Sequence, residues 1–260
     1  MSPLLGFDSV TPVLGLNKVL KALTRKPFAV IGHRCAAGEA LENTLSALER
    51  ALEAGVDIVE VDVQVTKDGV PILLHDESLT RIAGIDINVR SSTWSEIQRV
   101  TLPDGERLAT LTEFLEAIRG RIPALIEIKH VEDTRIVVDH LTGLEEWIAI
   151  ISFHDEALRL AKRLNPKLVT GLIYARPPGR ILDAKRVGAS IVLPRYNLAT
   201  EKAVNFAHRL GLRVIAWTVN DEMTAITLYK RGVEGIATDY PSKLTRLREK
   251  LGSNDEHDSL

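Results

Sequence analysis

Short apolar runs alternate with longer amphipathic ones along almost the whole chain. Residues 28–31 form a compact apolar run of the kind that makes a buried strand. The stretch 44–54 then carries Leu45, Leu48 and Leu52 at helical spacing and stops at Gly55. Residues 58–65 are β-branched and alternating, which sets Ile58, Glu60, Asp62 and Gln64 on one face of a strand. The same rhythm predicts strands at 124–128, 148–151, 168–173, 190–193, 213–218 and 235–238. Helices are expected at 134–141, 155–164, 180–187, 200–210, 222–231 and 241–251.

Eight βα repeats with no break in composition predict an α/β fold, a TIM (β/α)8 barrel whose domain spans 28–251. An open doubly wound sheet is the competing architecture, because periodicity does not encode strand order. Residues 66–123 depart from the rhythm. They hold a turn at Lys67-Asp68-Gly69, a strand-like 71–75 and short helices near 93–100 and 111–118. This predicts a long connection after strand 2, lying over the carboxyl-end face where barrel active sites sit. Segment 1–27 carries Leu16, Val19, Leu20 and Leu23 at helical spacing and is expected to be a helical cap, with docking on a membrane surface the lesser alternative. Residues 252–260 are polar and acidic-leaning and are expected to form a disordered tail.

Composition narrows the function. Across 260 residues, 45% hydrophobic and 26% charged content allows one sizeable core and a well-solvated surface. Lys and Arg number 33 against 35 Asp and Glu, which argues against a protein that coats nucleic acid. One cysteine, Cys35, excludes an intrachain disulfide framework and a cysteine zinc cage. No apolar run reaches the length of a membrane span, and the first residues lack a basic region followed by a continuous apolar one. A soluble, cytoplasmic protein is the expectation; nothing in the pattern speaks to oligomeric state.

Polar groups interrupt the apolar strands in three places. The first strand runs into Gly32-His33-Arg34, the second carries Glu60 and Asp62, and the third carries Glu127 followed by Lys129. Burying a carboxylate costs several kcal/mol unless it is paired or bound to a cation. Glu60 and Asp62 share a face, and Glu127 joins them if the strands are neighbours. Three convergent carboxylates suit a divalent metal ion, Mg2+ or Ca2+ or Mn2+, better than zinc. The competing reading has Arg34, Lys129 and solvent neutralising them. His33 and His75 end successive apolar runs and can divide the acid and base roles of a displacement at phosphorus. Arg34 and Lys129 either balance charge or clamp an anionic phosphoryl group.

Taken in order, His33-Arg34, Glu42-Asn43-Thr44, Glu60-Val61-Asp62-Val63, Thr66-Lys67-Asp68-Gly69 and His75-Asp76 resemble the signature of the glycerophosphodiester phosphodiesterases. Glu127-Ile128-Lys129, Trp217-Thr218-Val219-Asn220 and the run from Gly235 to Pro241 continue the resemblance. It implies metal-dependent hydrolysis of a small-molecule glycerophosphodiester to glycerol 3-phosphate and an alcohol. His33 and His75 would be the catalytic pair, and Glu60, Asp62 and Glu127 the metal ligands. Arg34 and Lys129 would bind the phosphate, Glu42 would lie near the metal or the glycerol hydroxyls, and Trp217 would wall the pocket. Two positions depart from the pattern: Cys35 replaces a usual glycine and Leu41 a common proline. A glycine there would serve a positive φ or a close approach, so Cys35 is expected to shift the loop or tighten the pocket, or to act as a small buried filler or a reactive thiol. A lysophospholipase D or phospholipase-like enzyme acting on lipids at a membrane surface is the nearer alternative, and a non-catalytic phosphate-binding barrel the remote one.

Overall fold

A computed structural model of the chain describes residues 17–257. Its strands are β1 (Ala29–Gly32), β2 (Ile58–Val65), β3 (Pro71–Leu73), β4 (Ala124–Ile128), β5 (Ile148–Ser152), β6 (Val169–Tyr174), β7 (Ile191–Pro194), β8 (Arg213–Ala216) and β9 (Gly235–Thr238). Neighbours run β1-β9-β8-β7-β6-β5-β4-β2, all parallel, and β1 pairs again with β2 through Ile31–Ile58 and Gly32–Val59. That last pairing closes an eight-stranded barrel and rules out the open sheet. β3 lies antiparallel to β2, Val63 opposite Leu73, and stands outside the barrel.

The helices are α1 (Lys18–Ala22), α2 (Leu45–Glu53), α3 (Thr80–Ala83), α4 (Trp94–Ile97), α5 (Leu111–Ile118), α6 (Thr134–His140), α7 (Asp155–Leu164), α8 (Ile181–Arg186), α9 (Glu201–Arg209), α10 (Glu222–Lys230) and α11 (Pro241–His257). Threonine and aspartate start them where the sequence placed the boundaries: Thr44, Thr200 and Asp221 side chains accept from the backbone of α2, α9 and α10. α11 continues to His257, past residue 251 where the barrel was expected to end, so 252–257 are helical here; 258–260 lie outside the described residues.

Alternation along β2 and β4 sorts the side chains. Val59, Val61 and Val63 join Ala124, Ile126 and Ile128 in the layer between barrel and helices. Ile58 and Leu125 face inward, among Ala29, Ile31, Ala149 and Ile191. α1 closes this interior from below with Val19, Leu20 and Leu23. Gly235 makes the room, since a Cβ there would come within 2.8 Å of Leu23. Asn17 fixes the plug: its Oδ1 accepts from Val19 N and Leu20 N, and its Nδ2 donates to the carbonyls of Glu145 and Ile148. Of the segment 1–27 expected to be a helical cap, the structure shows a helix at Lys18–Ala22, and 1–16, Leu16 included, lies outside the described residues.

The long connection between β2 and β4 carries its own small core of Ile72, Leu74, Leu79, Ile82, Val89 and Ile97. The same connection carries His75, which lines the cavity described below, and Arg81, which does not.

Candidate active site

The inward positions that are apolar low in the barrel become charged at the carboxyl ends of the strands. Two residues above Ile58 stands Glu60, and two above that Asp62, whose strand partner is Glu127 on β4. All three are buried, and one oxygen of each lies within 4.8 Å of the others.

The β1–α2 loop reaches this cluster by an unusual route. Arg34, Cys35 and Asn43 all adopt positive φ, at 48°, 68° and 57°. The fold-back brings the Cys35 carbonyl so close to Gly32 that a Cβ there would lie 1.9 Å from it. Arg34 N donates to Glu60 Oε2 at 2.8 Å, and Cys35 N donates to the Glu60 carbonyl at 2.8 Å. Asn43 grips Asp62, donating from Nδ2 to Oδ2 at 2.9 Å and accepting from Asp62 N at 3.1 Å. The positive φ gives the physical reason for glycine at position 35. Here the thiol is fully buried between barrel and helices, outside the cavity lining, so it acts as a filler and does not tighten the pocket. Burial pushes that thiol well above its ordinary range, which removes the reactive-thiol reading.

His33, Arg34, Glu60, Asp62, His75, Glu127, Lys129 and Trp217 line one cavity of about 180 Å³. Glu42 does not. Its carboxylate is taken up by Arg34 Nη1 at 2.9 Å and by the Arg81 guanidinium. The opposite wall is apolar, built by Ile151, Phe153, Ile173, Leu193 and Trp217, whose ring meets Phe153 edge-on at 5.7 Å.

Each histidine has its own carboxylate. His33 Nδ1 lies 2.7 Å from Asp239 Oδ1, and His75 Nδ1 lies 2.6 Å from Asp76 Oδ1. Ionised carboxylates only accept, so both imidazoles donate through Nδ1 and present Nε2 elsewhere. Asn220 Nδ2 donates to Asp239 Oδ2 at 2.7 Å, and Arg81 Nε donates to Asp76 Oδ2 at 2.6 Å. These four supporting residues had been given no role from the sequence. Asp239 was within reach of the alternation, standing two positions above Ala237 as Phe153 stands above Ile151. Asp76 and Arg81 show no such signal.

The charges do not balance. Burial drives Glu60 up to about 7 and Glu127 up to about 8, with repulsion from Asp62 adding to both. Burial works the same way on Asp62, but Lys129 and Arg34 outweigh it and hold that carboxyl well below its usual range. Lys129 Nζ sits 2.6 Å from Asp62 Oδ1 and 2.8 Å from Glu127 Oε1. Arg34 Nε is buried 3.3 Å from Asp62 Oδ2 without hydrogen-bond geometry to any described residue. Two carboxyls that favour the protonated form beside an all-oxygen donor set fit a hard divalent cation. The imidazoles also diverge. Burial lowers His33, yet its bond to Asp239 and the charge of Glu60 leave it raised overall. Burial lowers His75, and Lys129 and Arg34 add to that against the pull of Asp62 and Asp76, so it ends lowered.

No described helix is long and apolar enough to cross a membrane. Residues 33–243 match the Glycerophosphoryl diester phosphodiesterase family. A glycerophosphodiester phosphodiesterase of Caldanaerobacter subterraneus subsp. tengcongensis is 33% identical, covering 86% of this chain and 98% of that protein. Human lysophospholipase D is 26% identical over 82% of this chain and 84% of its own length. A solved phosphodiesterase of Oleispira antarctica, in complex with the product sn-glycerol-3-phosphate, superposes with a TM-score of 0.79 at 27% identity, covering 84% of this chain and 96% of that one. On fold, site and sequence together, this chain belongs to the glycerophosphoryl diester phosphodiesterase family and is an enzyme of that kind.

Proposed function

We propose that the protein hydrolyses glycerophosphodiesters to glycerol 3-phosphate and an alcohol, with His75 as general base and His33 as general acid. The observation that carries this is the pair of imidazoles, each oriented by its own carboxylate at 2.6–2.7 Å, lining one carboxylate-rich cavity and driven in opposite directions. Opposed environments of this kind separate an acid from a base. Lys129 and Arg34 bind the phosphate and stabilise charge as it builds on the phosphoryl oxygens. His75 Nε2 takes the proton of the attacking oxygen, from water or from the substrate's own neighbouring glycerol hydroxyl. His33 Nε2 delivers its proton to the departing alkoxide. A divalent cation such as Mg2+, Ca2+ or Mn2+, held by Glu60, Asp62 and Glu127, would supply Lewis-acid neutralisation of the phosphate.

The test is release of glycerol 3-phosphate from glycerophosphocholine with each cation and with EDTA. Release that needs metal, and that falls by orders of magnitude in both His33→Ala and His75→Ala, is expected. No release with any cation, or near-normal rates in both variants, overturns the reading. The apolar wall around Phe153 favours a second reading, in which the leaving group carries an acyl chain. Faster turnover of lysophosphatidylcholine than of glycerophosphocholine would establish it.

A further inference from the structure

Arg81 lies outside the cavity, on α3 of the long connection, with 48% of its side chain exposed. Even so, it donates three hydrogen bonds to two carboxylates that each hold a residue of the site. Nε reaches Asp76 Oδ2 at 2.6 Å, Nη1 reaches Glu42 Oε2 at 2.9 Å, and Nη2 reaches Glu42 Oε1 at 2.7 Å. The other Asp76 oxygen holds His75 Nδ1, and Glu42 Oε1 also accepts from Arg34 Nη1. The outcome is an unbroken row, Arg34–Glu42–Arg81–Asp76–His75, in which guanidinium and carboxylate alternate up to the imidazole, and which joins two separate loops.

We propose that Arg81 is a positioning residue that sets the phosphate-binding Arg34 and the proton-accepting His75 together, by fixing the carboxylate partner of each. The inference rests on the roles given to those two residues above. Without the guanidinium, Glu42 places its whole charge on Arg34, which is then less available to a phosphate. Asp76 loses its second partner and is free to turn away from His75. Exposed ion pairs ordinarily contribute little, but a planar guanidinium that bonds two carboxylates at once fixes geometry as well as charge.

Arg121 supplies an internal comparison. It makes the same kind of forked contact to Glu49, at 2.7 Å on both nitrogens and with similar exposure, but touches no residue of the site. Steady-state kinetics on glycerophosphocholine with saturating metal would compare the wild type with Arg81→Ala, Arg81→Lys and Arg121→Ala. Arg81→Ala is expected to lower kcat roughly 10–100-fold and raise KM several-fold, since small misplacements of reacting groups have effects of that size. Arg81→Lys, which reaches one carboxylate and not both, falls between, and Arg121→Ala keeps wild-type values. Adding Asp76→Asn to Arg81→Ala should cost less in kcat than adding it to the wild type. ¹⁵N spectra of histidine-labelled protein should show His75 losing its single Nδ1–H tautomer in Arg81→Ala.

Wild-type kinetics in Arg81→Ala, or strictly additive losses with Asp76→Asn, overturns the proposal; so does an unchanged His75 spectrum. Should Arg81→Ala not fold, the Arg81→Lys data decide by the same criteria. A wild type that releases no glycerol 3-phosphate defeats the functional reading instead, and the imidazole spectrum then still decides whether Arg81 holds His75.

Discussion

Asp239→Asn is a change of one atom that isolates the acid half of the proposed reaction, the half assigned above to His33. Asn220 Oδ1 accepts from Asp239 N at 3.0 Å and from Thr238 Oγ1 at 3.2 Å, so its amide cannot flip and Nδ2 must face position 239. An asparagine at 239 would have one oxygen for two donors. With the oxygen toward Asn220, its amino group meets His33 Nδ1, which then has to accept. The His33 imidazolium loses its charged partner and the neutral ring is held in the wrong tautomer. A hydrogen bond to a charged group contributes about 1.5–3 kcal/mol, and 1.36 kcal/mol is a factor of ten in protonation. kcat on the alkaline side should therefore fall about 10–100-fold. The sign is fixed by the cause: Asp239 is a raising influence on His33, so its loss moves the alkaline limb of the kcat–pH profile to lower pH. In the proposed scheme the acid limb belongs to His75, which has the separate partner Asp76, and it stays in place. The assay is kcat against pH at saturating substrate and metal. An alkaline limb that coincides with wild type refutes the pairing of Asp239 with the catalytic acid.

Three further outcomes follow from other parts of the molecule. Because Glu60 and Glu127 sit at about 7 and about 8 without a cation, divalent-metal affinity should climb with pH across that range and level off above it. Calorimetry in two buffers of different ionisation heat should show protons released on binding near neutral pH; none released would contradict the assignment. Cys35 should resist iodoacetamide in the native protein and react once urea unfolds it, and native labelling would show that the β1–α2 loop opens. Asn17→Ala should cost about 2–4 kcal/mol: near 1 kcal/mol for the lost cap on Val19 N and Leu20 N, and about 1–3 kcal/mol for the buried Ile148 and half-buried Glu145 carbonyls that lose the Nδ2 donor. Urea unfolding would measure it, and a loss under about 1 kcal/mol would mean that α1 does not secure the barrel floor.

Much of this site was legible because alternation along a strand is unforgiving. Glu60 and Asp62 are carboxylates at inward parity in an apolar strand, and only a cation or a buried partner explains them there. Glu127 carried the same signal, but its meeting with Asp62 needed β2 and β4 to be neighbours, which periodicity cannot supply. The supporting residues were hidden for a different reason. Asp239 stands at inward parity above Ala237, but it meets His33 across 206 positions of sequence, and parity alone does not name that partner. Glu42 was expected near the metal or the glycerol hydroxyls. The left-handed turn at Arg34 and Cys35, and again at Asn43, instead folds the loop so that Glu42 faces two arginines. The glycine usual at position 35 pointed to a positive φ there, but nothing marked the one at Arg34, so the course of that loop could not be drawn in advance.

The alternation that makes the barrel pack also makes its mouth costly, and this has a measurable consequence for stability. Glu60 and Glu127 have folded values raised from 4.5 to about 7 and about 8. A carboxyl raised in this way contributes stability that is fully present below its unfolded value and is lost as pH rises through the folded one. Cation-free protein should therefore weaken between about pH 5 and pH 9, by something on the order of 3 kcal/mol for Glu60 alone. Asp62 is displaced the opposite way and titrates far below this window, so it does not mask the effect. The double variant Glu60→Gln with Glu127→Gln keeps the shapes and removes the charges. In EDTA its urea midpoint should fall much less from pH 6 to pH 9 than that of the wild type, since of these groups only the shifted imidazoles of His33 and His75 still titrate there, leaving the variant the more stable protein at alkaline pH. Added Mg2+ or Ca2+ should restore the wild type and do nothing for the variant, since only a cation bound to the native state stabilises it. Parallel pH dependence in the two proteins would mean that solvent, Arg34 and Lys129 already satisfy the cluster. The case for a metal at the barrel mouth would then fall with it.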